Sequence, residues 1–381
     1  MFDRIFQYNF PTIIRFGAGS VKELADHIQK NNLKAPLIVT DPIVAQLDFF
    51  KRIVQDLGQI GIAVEVFHDI HKNPVKSDVY KGTDVFDQSK RDSIIGIGGG
   101  AALDVARAIV LRVNHREDLF KYDDLIGGDV YVTNDVPYFI TIPTTAGTGS
   151  EVGRSAIIAD DETHQKKILF SPKLLAKIIF ADPELTMDLP GPITAATGMD
   201  ALTHNMEAFI AKMEHPLCEG IALEGIRLIH QSIAKAVQQP DLESRSQMLI
   251  ASLMGAVAFQ KGLGVVHSLA HPLSSLLDTH HGLANAVNLP YGMAFNISGS
   301  EEKFRRIARV LELKNETGEG VVQYLQELNE RIGIPQRLRD IGVQQDHLET
   351  LSDLAIADFA HPNNPKPVSR DDFRQLYQQA Y

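Results

Sequence analysis

The chain contains no tryptophan and a single cysteine, Cys218. One cysteine cannot close an intrachain disulfide, so the fold must rest on packing alone, and a reducing cytoplasm is the expected setting. No Lys/Arg-rich run stands out and the formal net charge is -11, so nucleic acid is not an expected partner. No apolar stretch approaches the roughly 20 residues needed to span a membrane, so no membrane partner is expected either. The opening residues from Met1 to Asn9 lack a basic start followed by an apolar run, and no signal peptide is expected. Internal repeats and low-complexity segments are also absent.

What remains is 381 residues with 44% hydrophobic and 22% charged side chains, a globular balance too long for one core and suited to two domains. Strand patterns at 12–16, 36–40, 63–67 and 93–97 alternate with helical patterns at 20–28, 42–58, 75–86 and 101–113. Further strands are predicted at 138–142, 168–170 and 177–181. This alternation predicts a parallel, doubly wound α/β sheet. Beyond Asp182-Pro183 the texture becomes helical, with patterns at 201–213, 217–238, 244–259, 284–295, 302–313 and 321–332. The expected division is an α/β domain over 1–183 and an all-α domain over 184–381.

Strand 93–97 runs directly into Gly98-Gly99-Gly100-Ala101-Ala102 at a helix start. Three glycines let backbone approach a ligand closely, and the N–H groups at a helix N-terminus favour a pyrophosphate. The pattern is not the G-x-G-x-x-G fingerprint of standard dinucleotide folds. Asp41 follows a predicted strand end. There a carboxylate accepts ribose hydroxyls and repels a 2′-phosphate, favouring NAD over NADP; it serves equally well as a helix N-cap before Pro42. The loop Pro143-Thr144-Thr145-Ala146-Gly147-Thr148-Gly149-Ser150 offers four hydroxyls that could hold a phosphate or a nicotinamide ribose.

The helical half concentrates metal-ligand residue types. His267, His271, His280 and His281 fall within fifteen residues, the first two four apart in a segment of helical character up to Pro272. Asp200 and His204 form a second i,i+4 pair, and such pairs share one helix face. One carboxylate and three neutral imidazoles suit Fe²⁺ or Zn²⁺ better than Mg²⁺ or Ca²⁺, which prefer oxygen shells. Spacing alone leaves open whether His280 or His281 is the ligand. His271 is a candidate for proton transfer or for hydrogen bonding to a bound oxygen. Glu207 shares the Asp200/His204 face and could orient a ligand.

Taken in order, Gly98–Asp104, Pro143–Val152, Asp182–Leu185, Gly198–His204, Gly264–Leu273, His281–Ala286 and Asn364-Pro365 resemble the iron-containing (group III, metal-dependent) alcohol dehydrogenase family over nearly the whole chain. The resemblance implies a Rossmann-like N-terminal domain and a helical C-terminal domain, a dehydroquinate synthase-like fold with the active site in the cleft. It implies metal ligands at Asp200, His204, His267 and His281, choosing His281 over His280, with His271 near substrate. It places the NAD site (NADP being second choice) on Asp41, Asn73, Gly98, Gly99, Gly100, Ala101, Ala102, Thr144, Thr145, Thr148 and Lys166. The expected activity is hydride transfer between a primary alcohol, or its aldehyde, and the nicotinamide, in a cytoplasmic homodimer.

The chain also departs from the family pattern. Ala101 and Ala102 stand where the family often has Ser and Pro, so one phosphate-facing hydroxyl is missing. Phe259–Lys261 is one residue short before Gly262. Arg154, Ser155, Lys261 and His361 raise the alternative of a polar substrate, oxidised at a terminal hydroxyl of a sugar or an octulosonate-type sugar acid. A non-redox enzyme on the dehydroquinate-synthase-like scaffold is the other alternative.

Overall fold

The computed structural model describes residues 12–381 and the backbone of Phe6–Tyr8. The chain forms two compact units. One runs up to Thr145 and resumes over Ser150–Met187; the other joins Ala146–Gly149 to Asp188–Tyr381.

The first unit is built on a seven-stranded sheet. Its strands are β1 (Phe6–Tyr8), β2 (Ile13–Phe16), β3 (Pro36–Val39), β4 (Glu65–Phe67), β5 (Ser93–Gly98), β6 (Tyr138–Pro143) and, later in the chain, β9 (Ile178–Ala181). The order is β1-β2-β9-β6-β5-β3-β4; β1 is antiparallel to β2 and every other pairing is parallel. The central strands are apolar on both faces, as a sheet covered on both sides requires. Ile38, Ile95, Ile97, Ile140, Ile142 and Phe180 pack with Leu24 and Ile28 of α1 (Leu24–Lys30) and Phe50, Ile53 and Leu57 of α2 (Asp48–Gln59). Helices α3 (Lys76–Gln88) and α4 (Gly100–Asn114) complete the alternation. An antiparallel hairpin, β7 (Ser155–Ala159) with β8 (Lys166–Phe170), stands apart from the sheet. Strand β7 has no counterpart among the predicted strands.

The second unit is helical: α5 (Gly191–Ile210), α6 (Pro216–Gln238), α7 (Leu242–Ala258), α8 (Val265–Leu277), α9 (His281–Asn296), α10 (Glu301–Val310), α11 (Gly318–Arg331), α12 (His347–Ile356) and α13 (Arg370–Ala380). Helix α5 starts ten residues before the predicted 201–213 segment. Pro192 falls in its first turn, where a missing N–H costs nothing, and its threonines are held by burial rather than by propensity. Helix α8 does not stop at Pro272 but continues to Leu277. Leu269, Ala270 and Leu273 are wholly buried, and that packing outweighs one lost backbone hydrogen bond. Among the described residues no single helix is long and apolar enough to cross a membrane.

Candidate metal centre and cofactor cradle

Helix α5 is buried along nearly its whole length, and it carries Asp200 and His204 on one face. Helix α8 brings His267, and Asp278 in a left-handed conformation (φ 52°) ends it so that the chain re-enters α9 at His281. Helices α5 and α9 approach closely because residue 282 is glycine: a Cβ there would lie 2.4 Å from the Ala196 carbonyl oxygen and 3.2 Å from the Asp200 Cβ. As a result, one ligand-type atom from each of Asp200, His204, His267 and His281 lies within 4.8 Å of the others. His280 sits at the N-cap of α9, its carbonyl accepting from the Ala284 N–H.

The donor set fits a divalent metal. A histidine ligand must be neutral, and burial pushes the His204 imidazole down to about 4, against the opposing pull of Asp200. The His267 and His204 rings stack at 4.7 Å. Glu207 Oε2 lies 2.6 Å from His267 Nδ1, while its Oε1 accepts from the Val266 N–H at 2.7 Å. This buried carboxylate holds the proton on Nδ1 and leaves Nε2 as the coordinating atom. The carboxylate also sits at the N-terminus of α8, where negative charge is favoured. The Asn285 amide nitrogen lies 2.7 Å from Asp200 Oδ1, 3.2 Å from His281 Nε2 and 3.3 Å from His267 Nε2. Two amide hydrogens cannot serve three converging acceptors, whereas a cation at their focus could.

His271 lies one turn further along α8. Its ring is nearly parallel to that of His281 (centroids 5.4 Å apart, 14° between planes) and tilted against Phe359 at 5.1 Å. Its Nδ1 lies 2.7 Å from Asp358 Oδ2. Phe259 packs against His204 at 5.1 Å. Asp358 is not signalled by the sequence and meets His271 only through tertiary packing, whereas Asn285 stands four residues after His281 on α9 and reaches Asp200 and His267 on the neighbouring helices.

In the first unit the cofactor candidates gather at the start of α4. Gly98 has φ 151°, and a Cβ there would lie 2.7 Å from the Ala102 Cβ and 3.4 Å from Asp41 Oδ2. Thr144 N–H donates to the Gly98 carbonyl, and Thr145 Oγ1 lies against Gly99. Gly99 is the N-cap of α4 and supplies no side chain to its first turn; Gly100, Ala101 and Ala102 begin the helix. The helix expected to open at Pro42 begins only at Asp48, and Asp41 instead fixes the turn before it: Oδ1 accepts from the Ile43 and Val44 N–H groups, while Oδ2 faces Gly98. Lys166 pairs with Ala159 across the hairpin, and the Ala159 N–H donates to the carbonyl of Pro74, the residue after Asn73. Thr148 belongs to the segment grouped with the helical unit.

A buried polar network behind the 143–150 loop is a feature that sequence reasoning missed. The wholly buried Arg107 donates to the Ser150 hydroxyl and carbonyl and to the Ser155 carbonyl, and pairs with Asp104. Asp104 also accepts from Ser150 Oγ and the Ile157 N–H. Beside it, burial pushes the Glu151 carboxyl up to about 7.

The polar-substrate signals do not hold. Lys261 is buried, with Nζ on the Phe209 carbonyl and on Glu219, and burial brings it down to about 8. The Arg154 guanidinium lies over the Phe170 ring, and the Ser155 backbone pairs in β7. His361 Nε2 meets the Ile356 carbonyl. The side chains of Lys261 and His361 are thus hydrogen-bonded within the helical unit, and that of Arg154 is stacked within its own.

The iron-containing alcohol dehydrogenase model matches residues 11–183, and that of the Fe-containing alcohol dehydrogenase family, C-terminal, matches 194–381. The 4-hydroxybutyrate dehydrogenase of Cupriavidus necator is 35% identical over 97% of this chain and 98% of its own length. The 1,3-propanediol dehydrogenase of Klebsiella pneumoniae is 34% identical over 99% of each. A crystal structure of 1,3-propanediol oxidoreductase superposes with a TM-score of 0.92 at 33% identity, covering 100% of both chains. Matches to both halves and along nearly the full length place this chain in the iron-containing alcohol dehydrogenase family, as an oxidoreductase.

Proposed function

We propose that the chain is an NAD-dependent, metal-dependent alcohol dehydrogenase or aldehyde reductase that acts on the terminal hydroxyl of a short-chain alcohol. In this reading residues 1–183 bind the dinucleotide, and 184–381 hold the metal and the proton-handling groups. The observation that carries it is the convergence of Asp200, His204, His267 and His281 within 4.8 Å, with His267 backed by Glu207. The metal, Fe²⁺ or Zn²⁺, supplies a Lewis acid that makes the hydroxyl more acidic, and the nicotinamide supplies the hydride acceptor. Asp200 and the three imidazoles fix the cation. His271 exchanges the hydroxyl proton. Phe259 and Phe359 give the surroundings apolar walls that limit water.

The choice of NAD rests on Asp41, which stands beside the glycine turn with its carboxylate placed to accept the adenosine ribose hydroxyls and to repel a 2′-phosphate on them. A short chain with a second polar end is favoured by the names of the two relatives above. A sugar-acid substrate is not favoured, because the cationic side chains that would recognise one are committed elsewhere. The reading extends to a cytoplasmic homodimer, which light scattering tests for its assembly.

The deciding experiment combines metal analysis of the purified protein with NAD⁺ and NADP⁺ reduction on a panel of primary alcohols, diols and ω-hydroxy acids. One divalent metal per chain and net NADH formation are expected. Retention of both metal and turnover in His267→Ala would overturn the assignment.

A further inference from the structure

Asp358 lies two residues beyond α12, far in sequence from α8, yet its carboxylate is held against that helix at both oxygens. Its Oδ2 meets His271 Nδ1 at 2.7 Å. Its Oδ1 accepts from Ser268 Oγ at 2.6 Å and from the Ala360 N–H at 2.9 Å. Ser268 Oγ is itself fixed, accepting from the His361 N–H at 2.9 Å. The side chains of His271 and Asp358 are only 14% and 8% exposed. Burial works to raise the Asp358 carboxyl, but His271, Ser268 and the Ala360 N–H outweigh it and hold the group at about 2. It is therefore an anion with acceptors only, and a ring nitrogen 2.7 Å away must present it with a hydrogen.

This has a consequence for the chemistry at the other end of the ring. With the hydrogen of Nδ1 committed to Asp358, proton exchange falls to Nε2. We propose that Asp358 is a positioning residue, which locks His271 in the Nδ1–H tautomer and aims Nε2 as the atom that takes the proton of the substrate hydroxyl. The inference rests on the alcohol dehydrogenase reading above. In the oxidation, the O–H bond breaks and its proton passes to Nε2. The carbinol C–H bond breaks with its electron pair going to the nicotinamide, and the C=O bond forms. Aldehyde reduction runs the same steps backwards. Asp358 touches none of the reacting atoms; it acts through His271, as an acceptor behind a catalytic imidazole does elsewhere.

The test uses the enzyme carrying its own metal, with saturating NAD⁺ and alcohol. Variants are Asp358→Asn, Ser268→Ala, His271→Ala and the double Asp358→Asn/His271→Ala. An asparagine oxygen turned toward Ser268 and Ala360 leaves its NH₂ against Nδ1, which drives the ring hydrogen to Nε2. Asp358→Asn is expected to lower kcat by about 10- to 100-fold while the KM for alcohol and the metal content stay near wild type. On the His271→Ala background the same substitution should cost nothing further. Ser268→Ala, which removes one of three donors to Asp358 and keeps the tautomer, should cost less than Asp358→Asn. Wild-type kcat in Asp358→Asn, or losses that multiply in the double variant, would overturn the proposal. Full kcat in His271→Ala would overturn it too, and with it the role of His271 while leaving the metal reading intact. Failure of the enzyme reading itself would show separately, as absence of metal and of NADH formation in the wild type.

Discussion

Changing Glu207 to glutamine alters one atom and should loosen the metal. The carboxylate accepts at both oxygens, from the Val266 N–H at 2.7 Å and from His267 Nδ1 at 2.6 Å. An amide can accept at only one. If its oxygen stays on Val266, its NH₂ faces Nδ1 and the ring must carry its hydrogen on Nε2, the atom meant for the cation. If its oxygen turns to His267, the NH₂ opposes the Val266 N–H in a wholly buried place. The first arrangement removes the Nε2 lone pair that the cation needs, and the second sets two buried donors against each other at a cost of about 1–3 kcal/mol. Set against the usual effect of removing a ligand's supporting carboxylate, metal affinity should fall by about 10- to 100-fold, or about 1.4–2.8 kcal/mol. The assay is competition with a chelator of known affinity, followed by elemental analysis of the retained metal. Circular dichroism and the thermal midpoint of the metal-stripped proteins check that the fold survives. Equal metal retention in wild type and Glu207→Gln across the chelator series would refute the argument that Glu207 sets the His267 tautomer.

Three further outcomes are expected from other parts of the structure. Gly282→Ala places a Cβ 2.4 Å from the Ala196 carbonyl oxygen. It should lower stability by about 1–3 kcal/mol and reduce metal retention together, as read by denaturant melts and elemental analysis. Glu151 keeps its proton up to about 7 in the folded state against 4.5 in the open chain, so its stabilising contribution is full below pH 4.5 and is lost as pH rises through 7. Glu151→Gln, which does not titrate, should therefore gain on wild type with rising pH, reaching about 3 kcal/mol by pH 8. Urea midpoints at pH 5 and 8 read it, and a pH-independent difference would count against it. Asp41→Ser keeps a side-chain oxygen acceptor for the Ile43 and Val44 N–H groups but removes the charge facing Gly98. The ratio of kcat/KM for NADP⁺ over NAD⁺ should rise by at least about tenfold.

Asp200 and His204 are legible in the sequence because i,i+4 spacing reports a shared helix face, and His267 is flagged by its pairing with His271, but the choice of His281 over His280 comes from the family resemblance and not from spacing. The parallel sheet is legible for a similar reason, since its buried strands read as apolar runs between glycine and helix-start signals. Their partners are not legible. Glu207 lies on the expected face, but the histidine it meets is on another helix; Asn285 shares a face with His281, but its contacts to Asp200 and His267 come from other helices; Asp358 carries no local pattern at all. The hairpin strand β7 is invisible because its residues alternate too weakly against a partner that only the fold supplies. Arg154, Lys261 and His361 mislead for a related reason. Long side chains reach wherever tertiary packing leaves a carbonyl, a ring or a carboxylate, and sequence spacing says nothing about that direction.

Helix α8 presents two histidines four residues apart, each backed by its own carboxylate from a different part of the chain. Each residue added to a helix rotates the remainder of that helix by about 100°. An insertion between positions 267 and 271 would therefore leave His267 on Glu207 but swing His271 away from Asp358. A length change in the turn before Gly264 moves neither, because Glu207 and Asn364 take hold of the backbone at Val265 and Val266 and set where the helix begins. The approach to α8 through the Phe259–Lys261 turn can therefore change length without disturbing either pair, whereas the four-residue interval inside the helix cannot.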